Sequence, residues 1–214
     1  MSQSAERRRQ ELAASDSVMA DLIAELGDWD VKARRRGVEK PDAYGALLRA
    51  IVGQQLSTKA AATIHGRVLD LFGGRTPAPE ELLETDVAAL RGCGLSGRKV
   101  TYVQDLARHV ISGELELDRL DQFSDEEVIA EIVAVRGLGR WTAEMFLIFH
   151  LERPDVFSGG DLGLRKAIQL SRGMDEMPSP AEAIEIAERW SPNRSLASIY
   201  LWESLASSTA TSND

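Results

Sequence analysis

Cysteine is almost missing from this sequence: Cys93 is the one cysteine in 214 residues. An intramolecular disulfide is therefore impossible, and no set of thiolates exists to hold a zinc ion or an iron-sulfur cluster. Aromatic residues are sparse, at 6% of the chain, and no uninterrupted apolar run approaches the length of a membrane span. The opening MSQSAERRRQELAASDS lacks the apolar core of a signal peptide. These absences read as a cytoplasmic protein in a reducing environment, with no membrane partner. Positive charge is also in deficit, with 25 Lys plus Arg against 34 Asp plus Glu and a formal charge of -9. On charge alone that speaks against a nucleic-acid partner, because affinity for a polyanion comes largely from Lys and Arg displacing counterions.

Runs of alternating β-branched residues are missing as well, while helical spacing is everywhere. Leu47, Leu48, Ile51, Val52 and Leu56, then Ile64, Val68, Leu69 and Phe72, recur at three- and four-residue intervals and predict two helices meeting near Gly53 to Ser57. Ser124 with Glu127, and Ser179 with Glu182, form the capping-box pattern that starts a helix. The fold class is all-α, with about ten helices at ordinary helix and loop lengths. A chain this long can bury most of its apolar surface without staples, as one domain or two small lobes. The first dozen residues and the last eight read as frayed ends.

The segment VAVRGLGRWTAEMFLIFHL is the most informative stretch. Gly137 and Gly139 bracket Leu138 between two helices, free the backbone to turn, and let it approach another surface without a Cβ in the way. The next helix starts near Arg140 with Thr142 in its first turn. Its unpaired amides and dipole favour a phosphate, and Arg140 adds a charge. An ordinary helix connection with a glycine C-cap fits the same residues.

VRGLGRWTA resembles the helix-hairpin-helix motif of DNA repair glycosylases. The likeness extends to YGALLRAIVGQQLSTKAAA, LRGCGLSGRKVTYVQDLA, DVFSGGDLGLRKA and ERWSPNRSLASIYLW. Together these blocks span residues 44 to 202 and are similar to the 3-methyladenine DNA glycosylase II family, in its order and close to its spacing. The resemblance implies a two-lobed helical fold with the active site in the cleft between lobes. Residues 38–150 would form one lobe, with the hairpin at 133–150, and residues 1–37 and 151–214 the other. The extra N-terminal α/β domain of longer members is expected to be absent.

The implied activity is a monofunctional glycosylase of base excision repair. It would extrude an alkylated base of the 3-methyladenine or 7-methylguanine class from double-stranded DNA and hydrolyse its N-glycosidic bond. Asp161, 22 positions after Gly139, matches the family's catalytic carboxylate; by itself Gly159-Gly160-Asp161 is also an N-cap pattern. Its implied role is to stabilise the oxocarbenium-like transition state and orient the attacking water. Trp141 stands where strand-cutting relatives carry a Schiff-base lysine, which implies no lyase activity. Trp141 and Trp202 match base-stacking positions, whose indole faces suit a cationic alkylated purine, and the family's other pocket aromatic is replaced by Met145. Gln54, Gln55 and Leu56 lie in the turn matching the loop that fills the gap left by the base. Either Gln55 or Leu56 is the plug, unless Leu56 belongs to the core. Ser96, Arg98 and Lys99, with Gly137, Leu138, Gly139, Arg140 and Thr142, complete the expected DNA contacts.

Catalysis is expected to need no cofactor. The family's hairpin binds a monovalent cation, Na or K, and the matching carbonyls are those of Val133, Val135 and Leu138. A monomer is expected. Two rivals remain: a non-catalytic helix-hairpin-helix protein that binds DNA or a repair partner, and a strand-cleaving glycosylase. The acidity is localised, since residues 76–90 and 174–188 carry nine carboxylates and no Lys or Arg, leaving the rest of the chain balanced at 25 of each sign. That pattern predicts few cationic phosphate contacts and a shallow salt dependence.

Overall fold

Helix starts fall where a short polar side chain can satisfy the amides of a first turn, which have no intrahelical acceptor. The computed structural model describes residues 3–31, 33 and 40–211. After α1 (Gln3–Ser15), Asp16 caps α2 (Ser17–Leu26). Asp42 caps α3 (Ala43–Gly53) and Ser57 caps α4 (Thr58–Asp70). The short α5 (Pro79–Glu84) and α6 (Val87–Gly92) lead to α7 (Gly97–Ser112), capped by Ser96. The two Ser/Glu capping boxes read from the sequence form at the starts of α8 (Asp125–Ala134) and α11 (Pro180–Ala187). The remaining helices are α9 (Arg140–Phe149), α10 (Leu162–Ser171) and α12 (Arg194–Thr211). Among the described residues there is no strand, so the all-α class holds. Among the described residues twelve α-helices are delimited where about ten were expected, α5 and α6 being only six residues each.

The N-terminus departs from the expectation of a frayed end. Residues 3 to 15 are helical, Leu12 is fully buried, and the buried Arg9 guanidinium donates to Glu6 at 2.5 Å and pairs with Asp28 at 3.3 Å. Likewise α12 runs to Thr211, so only residues 1–2 and 212–214 of the two tails lie outside the described residues.

The chain divides into two compact units, Met1–Glu39 with Leu147–Asp214, and Lys40–Phe146. One division falls within α9 rather than after residue 150, and the boundary drawn at 37/38 lies outside the described residues. In the first unit Leu12, Met19, Leu164, Ile168, Trp190 and Tyr200 form the core. Its buried polar groups are paired: Trp190 Nε1 donates to Asp16 at 2.9 Å and Tyr200 donates to the Gly27 carbonyl at 2.9 Å. In the second unit α3 packs on α4 and α7, and α5 packs on α7. Leu47, Leu48, Ile51, Val52 and Val68 from the predicted stripe are buried, whereas Leu56 is 37% exposed and stands off it. No helix among the described residues is long and apolar enough to cross a membrane.

Candidate active site and nucleic-acid interface

Asp161 ends the loop between α9 and α10 in the first unit. Its extended backbone (φ -70°, ψ 117°) makes it the N-cap of α10, and Oδ1 accepts the Leu164 amide at 2.8 Å. Oδ1 also accepts the indole N–H of Trp202, from α12, at 3.1 Å. The residue is buried, so these hydrogen bonds and the positive end of the α10 dipole replace the water that an ionised carboxylate would otherwise bind. The N-cap reading of Asp161 therefore holds. Trp202 is half-buried, its ring 5.6 Å from that of Phe149.

The second unit holds the other expected residues. Trp141 lies in the first turn of α9 and is 52% exposed, so core packing does not account for it. Met145, one turn further on the same helix face, is half-buried. In the hairpin only Gly137 has positive φ, at 85°, and a Cβ there would lie 2.2 Å from the Tyr102 ring. Gly139 needs no such conformation, and nothing lies within 4 Å of its missing Cβ. The expectation that both glycines permit a tight turn thus holds for one of them. Leu138 and Thr142 are buried, so contacts from them to a phosphate must use main-chain groups.

Arg140 differs more sharply from expectation. Its guanidinium bonds Glu126 at 2.6 and 3.1 Å and Glu144 at 3.0 Å. The Glu126 hydrogen bonds push its pKa up, against burial, but the cluster of one cation and two carboxylates adds no positive charge to the hairpin. Ser96 spends its hydroxyl as the α7 cap, accepting from the Lys99 amide at 3.2 Å. Lys99 donates its ammonium to the Val52 carbonyl in the last turn of α3 at 2.7 Å, and burial pushes its pKa down. Arg98 is exposed.

The GQQLS turn is tied to the hairpin from below. Gln54 is the C-cap of α3, and its Nε2 donates to the Gly137 carbonyl at 2.6 Å, so its side chain supports the hairpin. Asp105 of α7 accepts the Arg136 amide at 2.9 Å. Sequence reasoning missed these supports, Tyr102 and Asp105, because residues 30 or more positions apart carry no local signal of their meeting. Gln55 sits exposed at the tip with φ 57°, a conformation that non-glycine residues adopt at a cost. Leu56 lines a groove of about 260 Å³ with Arg49, Gly53, Thr58, Ala61 and Ala62.

Residues 48–193 match the family model described as HhH-GPD superfamily base excision DNA repair protein. The chain is 35% identical to DNA-3-methyladenine glycosylase 1 of Schizosaccharomyces pombe over 90% of its own length and 84% of that protein's. It superposes on a S. pombe 3-methyladenine DNA glycosylase, solved in complex with abasic DNA, with a TM-score of 0.82 and 32% identity, covering 92% of this chain and 95% of that one. A DNA-3-methyladenine glycosidase from Bacillus halodurans gives a TM-score of 0.78 at 36% identity, covering 92% and 88% of the two chains.

Proposed function

This chain belongs to the HhH-GPD superfamily of base excision DNA repair proteins, and from that premise we propose that it is an alkylbase DNA glycosylase. Its substrate is double-stranded DNA carrying bases of the 3-methyladenine or 7-methylguanine class, 3-methyladenine being the base named for its relatives. The observation that carries the reading is Asp161, a buried carboxylate held by two N–H donors at a helix N-terminus. As the bond from C1′ to the base lengthens, positive charge grows on the sugar, and a fixed anion lowers that barrier without having to reorganise. The base leaves with the bonding electrons. Water, oriented by the same carboxylate, adds to C1′ and loses a proton, leaving an abasic site.

Trp141 offers an exposed indole face for the extruded base, with Met145 beside it in place of a ring; a cationic purine is favoured over a neutral one by the same face. Of the two candidate plugs, Gln55 is favoured by its exposed, strained position at the tip of the turn, with Leu56 against the groove. No lysine occupies the Trp141 position, so no Schiff base forms there and the strand is left uncut. The exposed Arg98, the Lys99 ammonium and the first-turn amides of α9 hold DNA phosphates, and the protein acts as a monomer. Val133, Val135 and Leu138 suit a monovalent cation. Their carbonyls lie at or just beyond the negative end of α8, and the Val135 oxygen, which accepts the Leu138 amide at 3.1 Å, keeps a second lone pair for an ion.

The test is a duplex containing one 3-methyladenine or 7-methylguanine, assayed for free base and for strand scission before alkali. Free base without scission is expected, and Asp161→Asn is expected to abolish it. No base released from either substrate would refute the reading in favour of a non-catalytic DNA-binding protein, and immediate scission would indicate a lyase.

A further inference from the structure

Glycine is disfavoured relative to alanine inside a helix, yet Gly163 occupies the first turn of α10. Its φ is not positive, so backbone freedom does not explain it. Space does. A Cβ at this position would lie 3.0 Å from Asp161 Oδ1, 3.4 Å from Trp202 Cδ1 and 3.5 Å from Trp202 Nε1. The tight contact is with the carboxylate oxygen, and the indole that bonds this oxygen at 3.1 Å lies at ordinary contact distance from the Cβ position. The indole is braced by Phe149, whose ring is tilted 32° to it.

We propose that Gly163 and Trp202 are positioning residues for Asp161. The absence of a side chain at residue 163 leaves Oδ1 its place over the α10 N-terminus, and the indole N–H that meets it there sets the orientation in which the carboxylate meets the sugar. The terminal torsion of a carboxylate is broad, and one hydrogen bond such as that from the Leu164 amide restricts it only in part. A second donor on the same oxygen, from a different helix, removes that freedom. The inference rests on the reading of Asp161 as the catalytic residue, and it gives Trp202 a role through its N–H rather than through its ring face.

Trp202→Phe keeps a ring against Phe149 and removes the donor. Single-turnover excision is expected to fall by about tenfold or more, as a misplaced catalytic group does. Affinity for a duplex carrying an abasic-site analogue should stay within about twofold, since the N–H is assigned no part in holding DNA. Gly163→Ala, whose Cβ would lie 3.0 Å from Oδ1, is expected to lower excision in the same direction while staying folded with a Tm close to that of the wild type, because the better helix propensity of alanine offsets the crowding. Independently of activity, the indole N–H resonance of Trp202, identified in 15N-tryptophan-labelled protein by its loss in Trp202→Phe, should shift in Asp161→Ala. Wild-type excision rates in either variant would overturn the proposal. So would a Trp202→Phe defect confined to DNA affinity, or an indole resonance indifferent to Asp161→Ala. A wild-type protein that releases no base would refute the proposed function, while the resonance experiment still decides the pairing.

Discussion

At the scale of single residues, burial separates groups that hold the fold from groups left for a ligand. Asp161 caps a helix and is also the proposed catalytic carboxylate, and one substitution divides these roles. Asparagine caps helices about as well as aspartate, so Asp161→Asn should change stability by less than about 0.5 kcal/mol. Loss of the fixed anion should lower single-turnover excision by about a hundredfold or more, the size seen for one preorganised electrostatic group. Trp141 gives the complementary case: at 52% exposure about half of its surface remains open to solvent. Trp141→Ala should cost about 1–3 kcal/mol of stability for the covered half of the ring and leave the protein folded. Excision should fall about ten- to a hundredfold, since stacking a base on an aromatic side chain is worth about 1–3 kcal/mol.

At the scale of elements, the hairpin shows why two glycines with the same spacing are not equivalent. Gly137→Ala forces a Cβ into the Tyr102 ring at positive φ and should cost about 1–3 kcal/mol by thermal or urea unfolding, with weakened DNA binding. Gly139→Ala meets open space and should fold as well as the wild type, so a binding defect there would report only the close approach of DNA. The start of α12 depends on a different device. Asp155 accepts Arg194 Nε at 2.8 Å and Nη2 at 3.0 Å, together with the Ser191 hydroxyl at 2.8 Å. Burial raises the Asp155 pKa, but these hydrogen bonds outweigh it and the net shift is downward. A depressed folded-state pKa adds stability that is present above the ordinary aspartate range and is lost as pH falls through the folded value. Asp155→Asn should therefore cost about 1–3 kcal/mol at neutral pH, and the gap to wild type should close as the pH drops below about 4.

At the scale of the whole molecule, the negative charge has a definite meaning. Two acidic stretches account for the excess of nine carboxylates, and neither includes the hairpin, the GQQLS turn or Asp161. Arg140 of the hairpin is neutralised by Glu126 and Glu144, which leaves Arg98, Lys99 and the exposed Arg136 as the cations on or beside the proposed interface. With so few cations, log Kd against log salt should have a slope of magnitude about 2–3 or less, since each neutralised phosphate contributes about 0.9. A steeper slope would require basic residues outside the proposed contacts.

Helix class, the capping boxes and the α3–α4 break were legible in the sequence because each depends on neighbours within a turn or two, where spacing is geometry. Asp161 was legible as an N-cap for the same reason, while its proposed catalytic role comes from resemblance. What the chain alone left open was every relation between distant segments. It did not indicate that the Trp202 N–H meets Asp161 across 41 residues, that Gln54 supports the Gly137 carbonyl across 83, or that Arg140 pairs with Glu126. Nor did periodicity reveal that Leu56 leaves its stripe, since the helix ends at Gly53 before reaching it. A sequence determines which backbone amides need partners and which faces are apolar. Which distant side chain arrives to meet them is decided only when the helices pack.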